Sequence, residues 1–330
     1  MKEKILLTGG NGYIGSVFLD MYLSDYNFRV IDSNFYDYDI LENVEFIKKD
    51  IRHIQEKDLE GIDYVVHMAE LSNDPLGEII PNITNEINHL GTKNLLNICK
   101  KTGIKKFIYM SSCSVYGINE NLVNEESKLN PLTNYSKAKV NNENFIFSQD
   151  FPFEVIILRN ATVFGFSKNL RLDLVINELT FTAVNENIIN LKSDGTPVRP
   201  FVHVIDLVRI INIFLNNSSI KNTEVVNVGS NRLNYSIIQV VDVIKDLLQI
   251  QNINIGKEDP DQRSYRVDFS KLSNMFPQFE FQYDLAKGVR ELSENLQGYR
   301  FNESSIRVDY LKDKIKKGDL DHNLFPKLEL

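Results

Sequence analysis

The sequence predicts an α/β protein: a doubly wound parallel sheet with a smaller α/β substrate domain toward the C-terminus. Short apolar runs alternate with amphipathic helical stretches as far as Gly165, the pattern of parallel strands joined by crossover helices. The first run leads through closely spaced glycines into a helix. The second ends in an acid, Asp32.

In chain order, Lys4–Thr8 is the first strand, and residues 14–23 carry apolar side chains at helical spacing. Strands are expected at 28–32, 44–47, 64–68, 106–110 and 155–158, with helices at 85–101 and 135–148 between them. After Gly165 the pattern changes. A helix at 172–184, a strand near 188–191, a strand containing His203 and a helix at 205–215 come first. A strand at 225–228 and helices at 236–248, 285–296 and 305–316 complete the chain. Residues 1–165, with later segments returning to them, form one expected domain; 166–330 supply most of the other.

With 330 residues, 42% hydrophobic and 25% charged, the composition is that of an ordinary globular protein. A net charge of −8 argues against non-specific nucleic-acid binding, which needs a basic surface. No apolar run approaches the roughly 18 residues of a membrane span. Met1-Lys-Glu-Lys-Ile enters the first strand directly, leaving no room for a signal peptide. The two cysteines, Cys99 and Cys113, fall on different elements and read as reduced thiols of a cytoplasmic chain. No metal site is expected.

Gly9, Gly12 and Gly15 give the spacing G-x-x-G-x-x-G around Tyr13 and Ile14. Small residues there let the backbone turn tightly and approach a pyrophosphate, whose charge sits at the N-terminus of the next helix. This is the phosphate turn of a Rossmann-type domain. Asp32 would accept hydrogen bonds from ribose hydroxyls and repel a 2′-phosphate, so NAD is expected over NADP.

Tyr135 and Lys139 stand four residues apart on one helix face. A tyrosine near pKa 10 is a poor base at neutral pH, and a nearby ammonium favours the phenolate. That phenolate can take a proton from a substrate hydroxyl as hydride leaves the same carbon. Ser112, on the loop after the fifth strand, would hydrogen-bond the same oxygen.

These features resemble an extended short-chain dehydrogenase/reductase of the NAD-dependent nucleotide-sugar epimerase/dehydratase group. The resemblance runs through the glycine turn, Asp50-Ile-Arg52, His67-Met-Ala69, Asn88-x-x-Gly91-Thr92, Ser111 to Gly117 and the Tyr135/Lys139 pair. It continues in 158–165, Arg171-x-Asp173-Leu-Val-x-Asn177, 194–206 and the run from Asp261 to Asp268. It implies that Ser112, Tyr135 and Lys139 are catalytic. It also implies that Asp50 and Ile51 flank the adenine, that Met68 and Ala69 line the cofactor cleft, and that Asn88 lies beneath it. Thr162, Asn177, Arg199 and Arg263 match positions that contact the sugar nucleotide. A homodimer is implied too, through helices 85–101 and 135–148, with Leu95, Leu96, Ile98, Phe145 and Ile146 as a seam unless they face the sheet.

Two departures carry information. Glu70 stands where the group has a small residue; beside a pyrophosphate it should repel, so it is expected to point away or to displace its loop. Cys113 and Ser114 replace the Asp-Glu that 4,6-dehydratases use to eliminate water, and neither suits that acid/base pair. The group's 3,5-epimerases use a cysteine at the place of Ser114, one residue out of register with Cys113. The expected activity is therefore a nucleotide-sugar 4-epimerase; a one-way 4-keto-sugar reductase or 4-dehydrogenase needs the same residues. A non-catalytic NAD-binding scaffold is disfavoured by the intact tyrosine and lysine.

Overall fold

The alternation of apolar strands and helices closes into one twisted sheet. The computed structural model describes residues 2–217, 223–257 and 263–325; Asp261 of the run quoted above lies outside them. The strands are β1 (Lys4–Thr8), β2 (Asn27–Asp32), β3 (Glu45–Lys48), β4 (Tyr64–His67), β5 (Lys106–Ser112), β6 (Leu122–Val123) and β7 (Glu154–Asn160). They continue with β8 (Thr162–Phe164), β9 (Ile188–Leu191), β10 (Val198–His203), β11 (Thr223–Val228), β12 (Asn234–Ser236), β13 (Asn252–Ile255) and β14 (Arg266–Val267).

Seven of them form a sheet in the order β11-β7-β5-β4-β1-β2-β3, with every neighbouring pair parallel. The order reverses between β1 and β4, and a crevice opens there at the carboxyl ends of the strands. Side chains of β4 and of β5 as far as Ser111 are buried, so both strands read as continuous apolar runs rather than alternating ones. His67, at the end of β4, lies between Thr8 Oγ1 (2.6 Å from Nδ1) and Thr92 Oγ1 (2.7 Å from Nε2). Burial, with the Lys139 charge nearby, lowers its pKa to about 3, so this histidine is a neutral strut.

The helices in chain order are α1 (Tyr13–Tyr22), α2 (Asp74–Ile79), α3 (Pro81–Asn85), α4 (Thr92–Thr102), α5 (Asn134–Phe147) and α6 (Val175–Glu186). Then come α7 (Val204–Asn216), α8 (Ile237–Leu248), α9 (Ser270–Met275), α10 (Leu285–Leu296) and α11 (Arg307–Lys317). A separate core gathers Ile176 and Leu179 of α6, Val240 and Ile244 of α8, and Val289 and Leu292 of α10. It packs with a small sheet of β12, β10 and β8 on the carboxyl side of the crevice.

The expected helix at 85–101 is broken: α3 ends at Asn85, Glu86–Gly91 forms a π-helical turn, and α4 begins at Thr92. A π turn at this place aims Asn88 inward. The expected dimer seam is also corrected. Leu95, Leu96, Ile98 and Ile146 are buried in the chain's own core, because α4 and α5 lay these residues on the sheet. The exposed apolar residues of this region are Leu90 and Phe147. Among the described residues, no helix is long and apolar enough to cross a membrane, and no cluster of metal-ligating side chains occurs.

Candidate active site

Backbone builds the cofactor half of the crevice. Gly9 has φ +69°, and a Cβ there would sit 2.7 Å from the Ala69 backbone; one on Gly15 would meet the Gly10 carbonyl oxygen at 2.4 Å. Any side chain at either place would push β1, β4 and α1 apart. Helix α1 starts after Gly12 with no side-chain cap, so its first N–H groups are left for an anion. Asp32 closes the far side, accepting from the Asn11 N–H (3.1 Å) and the Asn34 N–H (2.8 Å). Each oxygen keeps acceptor capacity for a hydroxyl. Burial raises the Asp32 pKa against those two bonds and the Arg307 charge.

Tyr13, Ile14, Asp50, Ile51, Met68 and Ala69 line the same cleft. The Asp50 carboxylate is engaged, binding Arg52 through Nε at 3.0 Å and Nη2 at 2.7 Å. Asn88 does not face the cleft. Fully buried, it accepts from the Leu71 N–H at 2.8 Å and donates to the Leu71 carbonyl at 3.1 Å, holding the loop after β4 from below. These residues fit a dinucleotide: a cradle that a Cβ would fill, a free helix N-terminus and a carboxylate at the ribose position.

The residues expected to be catalytic arrive on two elements. Strand β5 ends at Ser112, whose Oγ accepts from the Ser114 N–H at 3.1 Å. Helix α5 begins at a capping box, with Thr133 Oγ1 accepting from the Ser136 N–H at 3.2 Å and Ser136 Oγ accepting from the Thr133 N–H at 3.0 Å. The cap fixes Tyr135 and Lys139 over the strand end. A buried ion pair behind them locks the helix: Arg159 Nη2 on β7 lies 2.6 Å from Glu143 Oε2 on α5. Ser111 donates to the other Glu143 oxygen at 2.6 Å. Ser112, Tyr135 and Lys139 then line one cleft with Met68 and Ile14, where the cofactor and substrate halves join.

Glu70 turns to a protein cation at the bottom of the crevice. Its carboxylate is buried in the floor of the crevice and pairs with the Lys139 ammonium, which also donates to the Met110 carbonyl. Tyr109 donates to Glu70 Oε1 at 2.9 Å, and Asn142 donates to Tyr109 at 2.8 Å. The ammonium supplies the compensating charge that allows a carboxylate here. Burial raises the Glu70 pKa and lowers that of Lys139, and their mutual attraction opposes both shifts. Tyr135 lies far above its ordinary value. Burial, then the charges of Glu70 and Asp74, push it up against Arg171 and a hydrogen bond from Ser112. Paired with Glu70, Lys139 offers the phenol little net charge.

Thr162, Arg199 and Arg263 line the substrate half. Arg263 Nη1 lies 2.7 Å from Asp74 Oδ2, and the Arg199 guanidinium stands 5.5 Å from the Tyr265 ring. Asn177 is placed otherwise. It is fully buried, accepts from the Gly165 N–H at 3.1 Å and donates to the Arg171 carbonyl at 3.0 Å. Its amide ties the loop before α6 together and does not line the cleft.

Asp74, Arg171 and Asp173, which were not singled out individually, also line this half, as does Ser114. Arg171 grips Asp173 through two contacts of 2.9 Å, a pairing that the motif Arg171-x-Asp173 could have signalled. Cys113 is turned away, its Sγ donating to the Arg159 carbonyl at 3.1 Å. Burial raises the thiol's pKa. The Ser114 hydroxyl is buried with no hydrogen-bond partner among the described residues.

The chain is similar to known proteins. A Methanocaldococcus jannaschii protein, provisionally named a UDP-glucose 4-epimerase, is 28% identical over 313 residues, covering 87% of this chain and 96% of its own. The dTDP-D-glucose 4,6-dehydratase of Dictyostelium discoideum is 29% identical over 291 residues, covering 75% of this chain and 62% of its own. The crystal structure of a Bacillus cereus UDP-glucuronic acid 4-epimerase, solved with UDP-glucuronic acid and NAD, superposes with a TM-score of 0.79 at 26% identity. It covers 89% of this chain and 99% of that one. The model of the NAD dependent epimerase/dehydratase family matches residues 5–229, and the chain belongs to that family.

Proposed function

We propose that the protein is an NAD-dependent nucleotide-sugar 4-epimerase. The observation that carries the reading is the meeting of Ser112, Tyr135 and Lys139 at the junction of the two clefts, beside positions 113 and 114 that lack a carboxylate. Removal of water from a 4-keto sugar needs an acid and a base at its C5 and C6. Cys113 faces the core and Ser114 offers only a hydroxyl. Positions 113 and 114 therefore supply neither the acid nor the base of that elimination.

NAD, when bound, supplies hydride acceptance and return. The chain does the rest. Tyr135 Oη takes the proton of the sugar 4-hydroxyl and later returns it, while Ser112 Oγ holds the same oxygen in place. Lys139 lies close to the phenol and is held by Glu70 and the Met110 carbonyl. The cleft favours the protonated phenol, so proton return to a ketone is the easier direction and alcohol oxidation is the step favoured by higher pH. Arg199 and Arg263 present planar guanidinium groups suited to a diphosphate.

The test is a panel of UDP-, dTDP-, GDP- and CDP-sugars incubated with purified protein, with products identified by NMR. A C4 epimer formed without net change in NADH supports the reading. Stoichiometric NADH production or consumption would instead assign a one-way 4-dehydrogenase or 4-keto-sugar reductase working through the same residues.

A further inference from the structure

The C-terminal segment brings a cation to the glycine turn. Arg307 opens α11 and is only 6% exposed. Its Nη2 lies 3.8 Å from where a Cβ on Gly12 would stand. Its guanidinium sits 4.6 Å from the Tyr36 ring centroid, and Nη1 donates to Ser72 Oγ at 3.3 Å. Nε is buried with no hydrogen-bond partner among the described residues. No carboxylate lies within ion-pair distance of it among the described residues; Asp32 and Asp173 feel its charge from further away.

This placement is unfavourable in three ways. A buried cation without a counter-charge is costly, and the first position of a helix is the positive end of its dipole. The uncapped N-terminus of α1 adds a second positive end at the same place. Asp173, the carboxylate nearby, does not offset this because it is already paired with Arg171. An anion bound between Gly12 and Arg307 would relieve all of these costs together.

We propose that Arg307 is a ligand of the cofactor's pyrophosphate, carried to the glycine turn by a C-terminal segment, 303–325, that clasps the adenosine half of the cleft. The segment lies beyond the stretch matched by the family model. Its anchors are the loops after β2 and β3. Tyr38 donates to the Ser304 carbonyl at 3.3 Å, and Tyr310 donates to Asp37 at 2.9 Å. Arg52 donates to the Asn323 carbonyl at 2.9 Å and stands 3.9 Å over the Phe325 ring. Leu311, Leu320 and Leu324 join the core that contains Ile51 and Leu6. Tethered on both sides of Asp32, the clasp would slow cofactor release, as a reaction that uses one nicotinamide twice requires. The assignment rests on NAD as the ligand and stands whichever sugar reaction is catalysed.

The test is calorimetric titration of the full-length chain, freed of bound nucleotide, with NAD, ADP and adenosine. Arg307→Met keeps a long apolar stem against Tyr36 and removes the charge. It should weaken NAD and ADP by at least about tenfold, as loss of a charge-assisted bond does, and leave adenosine unchanged. Arg307→Lys should recover part of the loss. NAD and ADP affinities within twofold of wild type would overturn the assignment. So would adenosine weakening as much as ADP, because that pattern means an opened clasp rather than a lost phosphate contact. Should the methionine variant not fold, the wild-type chain still decides: ADP affinity must fall with salt more steeply than adenosine affinity, and equal salt dependence rejects the proposal.

Discussion

The two halves of the crevice are built from different material. The cofactor half is made chiefly of backbone: glycines where a Cβ would collide, an uncapped helix and a carboxylate held by two N–H groups. The half proposed for catalysis and substrate is made of charged side chains in ion pairs, Glu70 with Lys139 and Asp74 with Arg263 across elements and Asp173 with Arg171 within one loop. Backbone geometry is fixed by local sequence and tolerates almost no substitution. Ion pairs such as Glu70–Lys139 and Asp74–Arg263 are set by which elements the fold brings together, and a guanidinium such as that of Arg263 suits a substrate phosphate. The first half suits a resident cofactor and the second a ligand that comes and goes.

The sharpest way to break this comparison is Tyr135→Phe. It deletes the acid/base oxygen and leaves the ring and the backbone-built half untouched, so turnover should fall about 10²–10⁴-fold with NAD affinity unchanged. Parallel turnover and NAD titration check it, and loss of NAD binding would show that the halves are not separable. Glu143→Gln comes next. It leaves Arg159 buried with a neutral partner behind α5, and denaturant unfolding should show a loss of about 3–5 kcal/mol. The smallest effect belongs to Glu70→Gln. Its charge raises the Tyr135 pKa; removing it lowers that pKa and frees the Lys139 charge. Alcohol oxidation needs the phenolate, so the rising limb of its pH–rate profile should move to lower pH. An unmoved limb would mean that Glu70 only holds the loop.

Local sequence carried the strands, the glycine turn and the Tyr135/Lys139 pair because period, Gly spacing and i,i+4 geometry are short-range. Helix α10 falls at Leu285–Leu296, as periodicity indicates. Longer-range facts were not legible. Nothing local says that Glu70 meets Lys139, 69 positions later in the numbering, so charge repulsion by a phosphate looked decisive when ion pairing was. Asn88 and Asn177 read as ligand contacts because an amide suits either role; only the fold shows them bonded to Leu71 and to Gly165 and Arg171. Arg307 gave no signal, since an arginine starting an amphipathic helix is unremarkable until its burial beside Gly12 is seen.

The central claim is that the sugar is oxidised and reduced at C4 with no proton lost from C5. It is tested most directly by running the reaction in D2O on the sugar that the panel selects. Hydride returned by the same nicotinamide leaves the product free of deuterium at C4 and C5 by NMR and mass spectrometry, and that is the result expected. Deuterium at C5 would require a base there, and would contradict a site in which positions 113 and 114 are a core-facing thiol and a lone hydroxyl.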